Sequence, residues 1–190
     1  MLRILLVNDT DKPIGELRQA LASHGFEVLA VVGSPHALLA AVEGQRPDVV
    51  IIDTESPSRD TLEQLSVMNA AAPRPVVMFS ADANQQLIRA AVGAGVTTYL
   101  VEGIAPEKIA PIVDVALARF AEESRLRQKL AEVEQKLSDR KLIDRAKGIL
   151  MDKRQMTEAV AYETLRTQAM KQGSKLVDVA RQIIAMADLL

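Results

Sequence analysis

The first hundred residues alternate short apolar runs with amphipathic stretches. Five of the apolar runs predict β-strands, at residues 3–7, 28–32, 49–52, 76–79 and 98–101. Three of these are almost continuously apolar, as expected of parallel strands that are covered on both faces. The stretches between them have helical periodicity and end at glycine or proline. The pattern therefore predicts an α/β domain with a doubly wound, five-stranded parallel sheet.

A long helix is predicted to follow the sheet domain. Between Pro111 and Gly148 the chain contains neither glycine nor proline and is rich in strong helix formers. Within this stretch, apolar residues recur at alternating spacings of four and three residues at Leu126, Leu130, Val133 and Leu137. This seam is typical of a coiled coil but spans only about two heptads. A helix that packs on its own chain remains the alternative; we favour a coiled coil that makes the active protein a homodimer.

The last segment is predicted to form a small helical bundle. The apolar face of the long helix continues to Leu150, Thr157 can cap a second helix, and Ser174 can cap a third after Gly173. Helices this short must pack on one another to bury their apolar faces. We therefore divide the chain into a sheet domain (1–118), a coiled-coil linker (119–138) and a three-helix bundle (139–190).

Composition and charge narrow the class of protein. The 190 residues are 48% hydrophobic and 25% charged, as in globular proteins, and no apolar run reaches the roughly 20 residues that cross a bilayer. The chain has no cysteine, which excludes disulfides and thiolate zinc sites and fits the cytoplasm, where we expect the protein. Residues 136–190 hold 11 basic and 7 acidic side chains, although the whole chain carries a formal charge of -2. This basic segment favours an anionic partner.

Polar residues stand where the predicted strands end, the usual place for ligands in a doubly wound sheet. Asp9 follows the first strand, Asp53 ends the third, and Ser80 ends the fourth. Two carboxylates can hold Mg²⁺ weakly, and one can accept a phosphoryl group that the serine hydroxyl would contact. Aspartate and serine are also common in ordinary turns, so this spacing alone leaves both interpretations open.

The strand ends resemble those of response-regulator receiver domains at residues 4–9, 47–53, 77–80 and 99–103. The resemblance covers about residues 1–118 and implies a receiver (flavodoxin-like) fold with five strands and five helices. It implies that Asp53 is the phosphoacceptor, that Asp9 is a metal ligand with it, and that Ser80 and Tyr99 form the switch pair. We expect no cofactor other than a weakly held Mg²⁺.

The chain departs from the receiver pattern at two positions. Asn8 replaces the first of two usual acids, and Glu102 replaces the usual lysine, so we count Glu102 with the switch residues. Unit charges 4 Å apart interact by about 4 kcal/mol at an effective dielectric constant of 20. An anion in place of a cation therefore disfavours a phosphorylated state if Glu102 points inward. We expect Asp53 to accept phosphoryl groups poorly and a protein partner to control the domain.

The basic segment resembles the ANTAR module of transcription antitermination regulators at residues 140–151, 157–162, 165–170 and 176–180. The resemblance implies RNA binding, and we assign RNA contacts to Arg145, Ala146, Lys147, Gly148, Arg166, Ala169, Lys171 and Lys175. Gly148 lies inside a helix at a cost of up to about 1 kcal/mol, so we expect close approach there by a helix or by RNA. Charge reversal at Lys147 or Arg166 should weaken RNA binding without unfolding the module.

The chain is also similar to the NasT-like family of nitrate and nitrite assimilation antiterminators, at residues 8–10, 52–57, 101–104 and 182–186. That family carries both receiver departures. The resemblance implies binding to a tandem-hairpin leader RNA and restraint by a NasS-like nitrate-sensor protein, with no catalysis. Two other classes stay open: a phosphorylation-driven, DNA-binding response regulator, and a phosphoryl hydrolase using Asp9 and Asp53. Neither His24 nor His36 is placed to serve such a hydrolase as a base.

Overall fold

A computed structural model describes residues 1–9, 15–33, 37–101 and 108–187, and among them the side chains of all but Asp9 and Glu16. The chain divides into two compact units, Met1–Ser124 and Arg125–Leu190. The strands are β1 (Arg3–Asp9), β2 (Glu27–Val32), β3 (Val49–Thr54), β4 (Val76–Ser80) and β5 (Thr98–Val101). The helices are α1 (Gly15–Ser23), α2 (Leu38–Gln45), α3 (Arg59–Ala71), α4 (Gln85–Gly93), α5 (Ile109–Arg154), α6 (Glu158–Gln172) and α7 (Leu176–Ala187).

The first unit is built on one parallel sheet. Its strand order is β2-β1-β3-β4-β5, so the chain winds outward in both directions from β1 and β3. The register pairs Asn8 with Asp53 and Thr54 with Ser80, which brings the carboxyl ends of β1, β3 and β4 to the same edge. The doubly wound, five-stranded sheet predicted from the apolar runs is confirmed.

Both faces of the sheet are covered, which explains why its strands are apolar at successive positions. Side chains such as Leu5 and Ile52 pack on one face against α2, α3 and α4. Their neighbours Leu6 and Ile51 pack on the other face against α1 and the first turns of α5. Because successive side chains of a strand point to opposite faces, burial on both sides requires an apolar residue at nearly every position.

The second unit contains a three-helix bundle formed by the end of α5 with α6 and α7, as predicted. The Thr157 hydroxyl accepts a hydrogen bond from the Val160 N–H and caps α6. Gly173 ends α6 in the left-handed conformation, with φ of 61°, which glycine adopts without strain. The Ser174 hydroxyl donates to Gln172 Oε1 at 3.4 Å, so the predicted cap of α7 by this hydroxyl is not what the structure shows.

The seam of α5 lies on the surface. Its four apolar side chains are 53–61% exposed, at Leu126, Leu130, Val133 and Leu137. Within Arg125–Leu190, no other described helix covers this seam, and the coiled coil stays a prediction. Among the described helices, none combines the length and apolarity needed to cross a membrane.

Candidate phosphoacceptor site and nucleic-acid interface

The edge of the sheet holds most of the predicted phosphoacceptor residues. Asp53 is partly buried near the end of β3, and Ser80 is 3% exposed at the end of β4. The backbone of Asp9 reaches the same edge, where it pairs with Thr54, but its side chain lies outside the described residues. The switch residue Glu102 also lies outside them. The structure therefore brings Asp53 and Ser80 together and leaves the effect of the Asn8 and Glu102 substitutions as a prediction.

The hydroxyl of Ser80 is held by two neighbouring loops. It donates to the Glu55 carbonyl oxygen at 3.0 Å and accepts from the Asp82 N–H at 3.1 Å. To donate to a phosphoryl oxygen at Asp53, it would first have to leave the Glu55 carbonyl. Because a buried hydrogen-bonding group is costly to leave unpaired, these contacts favour the present position of the serine.

Asp82 joins the loops that follow β3 and β4 to the last strand, in what we call the Asp82 cluster (Ser56, Asp82, Asn84 and Tyr99). The Ser56 hydroxyl and the Asn84 N–H donate to the Asp82 carboxylate at 2.7 and 2.8 Å. The Tyr99 hydroxyl donates to the Asp82 carbonyl oxygen at 2.9 Å. Both predicted switch hydroxyls, those of Ser80 and Tyr99, are thus bonded to the segment around Asp82.

The protonation state of Asp82 supports this cluster at neutral pH. The Asn84 N–H, followed by the Ser56 hydroxyl, lowers the pKa of the Asp82 carboxyl. A lowered pKa means that the charged form stabilises the fold above the pKa of the unfolded chain and loses this effect as the pH falls through the folded value. The sequence analysis missed Asp82. The aspartate two residues before the N-cap Asn84 of α4 was the available signal, because such residues often bond to the backbone of the next turn.

The described part of this edge fits Mg²⁺ only in part. Magnesium is usually held by one or two carboxylates together with waters. Asp53 supplies one carboxylate, and its β1 neighbour Asn8 carries an amide oxygen that can also bind a cation. Among the side chains that the structure describes, no three acidic or histidine residues form a group that could hold a metal ion. When bound, Mg²⁺ would neutralise charge on an incoming phosphoryl group. Among the described side chains, Asp53 would supply the carboxylate that holds it.

Two of the predicted RNA contacts belong to the core of the bundle. Ala146 is 0% exposed and Ala169 is 7% exposed, and both pack with Leu165. Their small side chains fill the space between the helices, so we remove them from the predicted RNA surface. A Cβ built at Gly148 would meet nothing within 4 Å, so the expected close approach of another helix there is wrong. Approach of RNA at Gly148 stays a prediction.

Lys147 holds the joint between α5 and α6. Its Nζ lies 2.8 Å from Asp144 Oδ1 and 2.7 Å from Glu158 Oε1, and its side chain is only 15% exposed. Glu158 is the first residue of α6, where a negative charge is favoured by the helix dipole. These hydrogen bonds, that of Asp144 first, raise the pKa of Lys147, and the same lysine lowers the pKa of Asp144. Lys147 therefore has a structural role between α5 and α6, and its contact with RNA stays a prediction.

The other predicted cations lie on the surface of the bundle. Arg145 is exposed and has an interaction of its own, and Arg166 is exposed with Nη1 3.8 Å from Glu163 Oε2. Lys171 and Lys175 are exposed and form no ion pair with any described residue. The same is true of Lys153 and Arg154 at the end of α5, which the sequence analysis did not place in the site. Because these cations have no carboxylate partners among the described residues, they can bind phosphates without first breaking an ion pair.

Family comparisons agree with both halves of this description. Residues 4–114 match the model of the response regulator receiver domain, and residues 131–184 match the model of the ANTAR domain. The chain belongs to the response-regulator receiver family. Its first unit is a receiver domain, as the strand ends indicated, and its second unit contains an ANTAR domain.

Individual relatives support the same arrangement. This response regulator is 29% identical to the transcriptional regulatory protein PdtaR of Mycobacterium tuberculosis over 182 residues, which are 96% of this chain and 89% of PdtaR. It is 28% identical to the DNA-binding response regulator MtrA of Mycobacterium bovis over 132 residues, 70% of this chain and 58% of MtrA.

Solved structures confirm the receiver fold. The receiver domain of a modulated diguanylate cyclase from Desulfovibrio desulfuricans G20 superimposes with a TM-score of 0.57 at 21% identity, covering 65% of this chain and 99% of that domain. A CheY-like receiver protein from Methanospirillum hungatei gives 0.56 at 21% identity, covering 65% and 98%.

We expect Lys147→Gln to lower the thermal midpoint of the ANTAR domain, because it removes the cation that joins α5 to α6. Circular dichroism melts of the full chain measure this, with Lys141→Gln as the matched control, since Lys141 is exposed and forms no ion pair with a described residue. The difference in midpoint between wild type and Lys147→Gln should shrink in high salt, because Asp144 and Glu158 are more than half exposed and salt screens exposed ion pairs. Lys147→Glu should lower the midpoint further, whereas the sequence analysis expected this variant to leave the module folded.

The pH dependence of this effect follows from the two pKa shifts. The lowered pKa of Asp144 means that its contribution is lost only as the pH falls through that lowered value. The raised pKa of Lys147 means that its contribution is lost only as the pH rises through that raised value. The difference between wild type and Lys147→Gln should therefore be flat around neutral pH. Equal midpoints for wild type, Lys147→Gln and Lys141→Gln would contradict the structural role.

We expect phosphoramidate or acetyl phosphate with Mg²⁺ to label Asp53 weakly, because Glu102 replaces a cation and the Ser80 hydroxyl is held elsewhere. Phosphate-affinity electrophoresis of the full chain measures the labelled fraction, with Asp53→Asn as the blank. Glu102→Lys, which restores the cation, should increase the labelled fraction. Ready and stable labelling of the wild type that also activates the protein would contradict this expectation.

Proposed function

We propose that this response regulator binds structured RNA through its ANTAR domain and thereby prevents transcription termination. The observation that carries the proposal is a group of exposed cations on the bundle that form no ion pair with a described residue, at Lys153, Arg154, Lys171 and Lys175. They lie on a folded bundle whose one aromatic side chain, Tyr162, is half-exposed. A single aromatic residue does not provide a stacking platform for a long single strand. Folded RNA, contacted through phosphates and a few loop bases, suits this surface better.

DNA binding is the second candidate function, and the similarity to the DNA-binding regulator MtrA favours it. The alignment with MtrA spans only 58% of that protein, so 42% of MtrA has no aligned counterpart here. The alignment with PdtaR, in contrast, spans 89% of that protein and 96% of this chain. The end of the chain matches the ANTAR model, and α5 runs without a break from the receiver unit into the bundle. These observations favour RNA as the partner.

We further propose that the active form is a homodimer joined through the seam of α5. An exposed apolar seam at heptad spacing gains stability when a second helix covers it. Two ANTAR domains could then occupy the two hairpins of one leader RNA. Linking the two binding events in this way raises the overall affinity without any new kind of contact.

The biological setting proposed here is nitrate and nitrite assimilation. Its support is the similarity to NasT-like antiterminators, including Asn8 and Glu102 in the receiver domain. In this proposal a NasS-like sensor protein holds the regulator inactive and releases it when nitrate binds. The loops that the Asp82 cluster joins are then positioned by contact with that protein rather than by a phosphoryl group.

We expect the full chain to bind a tandem-hairpin leader RNA more tightly than a duplex DNA of equal length, as measured by fluorescence anisotropy at several salt concentrations. The variant Lys171→Glu/Lys175→Glu should bind the RNA more weakly. Its slope of log K against log salt should be shallower by about one for each phosphate that the variant no longer neutralises. The matched control is Lys108→Glu/Arg119→Glu, with the same change of charge on the receiver domain. Tighter binding to the DNA would contradict the proposal.

We expect Leu130→Glu to disrupt the RNA-bound dimer, because it places a charge in the centre of the seam. Sedimentation velocity of the full chain with the tandem-hairpin RNA measures the stoichiometry. The neighbouring Ala131→Glu, on the same helix but off the seam, is the control and should leave it unchanged. A wild-type protein that binds this RNA as a monomer, with affinity equal to that of Leu130→Glu, would contradict the proposed dimer.

A further inference from the structure

A groove in the ANTAR domain lies where the end of α5 meets α6 and α7. Its lining combines three kinds of side chain within the described residues. Ile183 and Met186 provide apolar surface, Gln168 and Gln182 provide carboxamides, and Lys153 and Arg154 provide positive charge. None of these residues is a predicted RNA contact of the ANTAR resemblance. Lys153 and Arg154 belong to the RNA surface proposed above, and the glutamines and apolar side chains of the groove extend that surface.

The side chains of Gln168 and Gln182 are available to form hydrogen bonds with a ligand. Neither the Gln168 nor the Gln182 side chain makes a hydrogen bond with any residue that the structure describes. A carboxamide presents a donor and an acceptor side by side, which matches the paired donor and acceptor on the edge of a nucleobase. In an RNA stem the Watson–Crick edge is paired and the other donor–acceptor edge faces a groove too deep and narrow for side chains, so an unpaired loop base is the accessible partner.

The apolar side chains and the cations fit the rest of a nucleotide. Met186 is 67% exposed and Ile183 is partly buried, so the groove presents apolar surface on which the flat face of a base can rest. Lys153 and Arg154 stand in the last turn of α5 and make no ion pair with a described residue. They can pair with the phosphates on either side of that base. A neutral peptide bound in the groove would provide no negative charge to pair with Lys153 and Arg154, so a nucleotide fits the groove better.

We propose that this groove receives one unpaired loop nucleotide of the bound RNA, with the base edge read by Gln168 and Gln182. The proposal rests on the RNA-binding function proposed above and adds a subsite that distinguishes a loop from a stem. Lys153 and Arg154 contribute affinity for RNA in general, because phosphates occur in both. The two glutamines contribute the preference for an open loop.

The test uses the full chain and a hairpin RNA in which 2-aminopurine replaces one loop base at a time. Binding should change the fluorescence of at least one position, and Gln168→Ala/Gln182→Ala should remove that change. The same variant should bind the hairpin about tenfold more weakly, within the range found for loss of a side-chain contact to one base edge, while its affinity for a fully paired RNA duplex stays constant. The control, Gln128→Ala/Gln135→Ala, removes two exposed glutamines from the coiled-coil part of α5.

The outcomes separate this inference from the function on which it rests. If the wild type binds the hairpin and Gln168→Ala/Gln182→Ala keeps the same affinity and fluorescence change, the groove is not the loop subsite, while RNA binding stands. If the wild type binds no hairpin at all, the RNA-binding function itself is wrong, and the subsite with it. Because both glutamines are exposed and alanine favours helix, circular dichroism should show an unchanged fold.

Discussion

Close packing of three short helices around small side chains is the constraint on which the RNA-binding surface depends. The bundle core contains four alanines that are at most 7% exposed, Ala146, Ala161, Ala169 and Ala180. Small core residues let the helix backbones approach one another, and tightly packed interiors hold their surfaces in fixed positions. The ion pairs of Lys147 add a second restraint at the joint of α5 and α6. Cations outside the core are therefore presented in a defined arrangement.

In the receiver domain, too, packing and hydrogen bonds hold the side chains of the candidate site in fixed positions. Its parallel sheet places Asp53 and Ser80 at one edge, as in a phosphorylated regulator, but the hydroxyls of Ser80 and Tyr99 are bonded to neighbouring backbone groups. We expect Asn8 and Glu102, in place of an acid and a cation, to disfavour a phosphorylated state. The control by a partner protein proposed above would need no phosphoryl group at Asp53.

Those parts of the molecule that depend on local sequence could be predicted, and those that depend on distant contacts could not. The strands followed from continuous apolar runs, and the ends of α6 from Thr157 and Gly173. The Asp82 cluster joins three separate segments of the chain, so the spacing of Asp82 and Asn84 could indicate the turn between them but not the bonds to Ser56 and Tyr99. The ion pair of Lys147 with Glu158 could not be predicted, because the turn between α5 and α6 separates the two residues. From the sequence alone, Lys147 was therefore assigned only as an RNA contact. An alanine in a helix fits a core or a surface equally well, as Ala146 and Ala169 showed.

The central claim is that the ANTAR domain, through cations that its packing leaves unpaired, is the part of the chain that contacts RNA. Ultraviolet cross-linking of the full chain to a tandem-hairpin RNA, followed by mass spectrometry of the linked peptides, tests it most directly. Our account predicts linked peptides from the end of α5 and from α6 and α7, including the segment around Lys153 and Arg154. Linked peptides found only within Met1–Ser124 would contradict it.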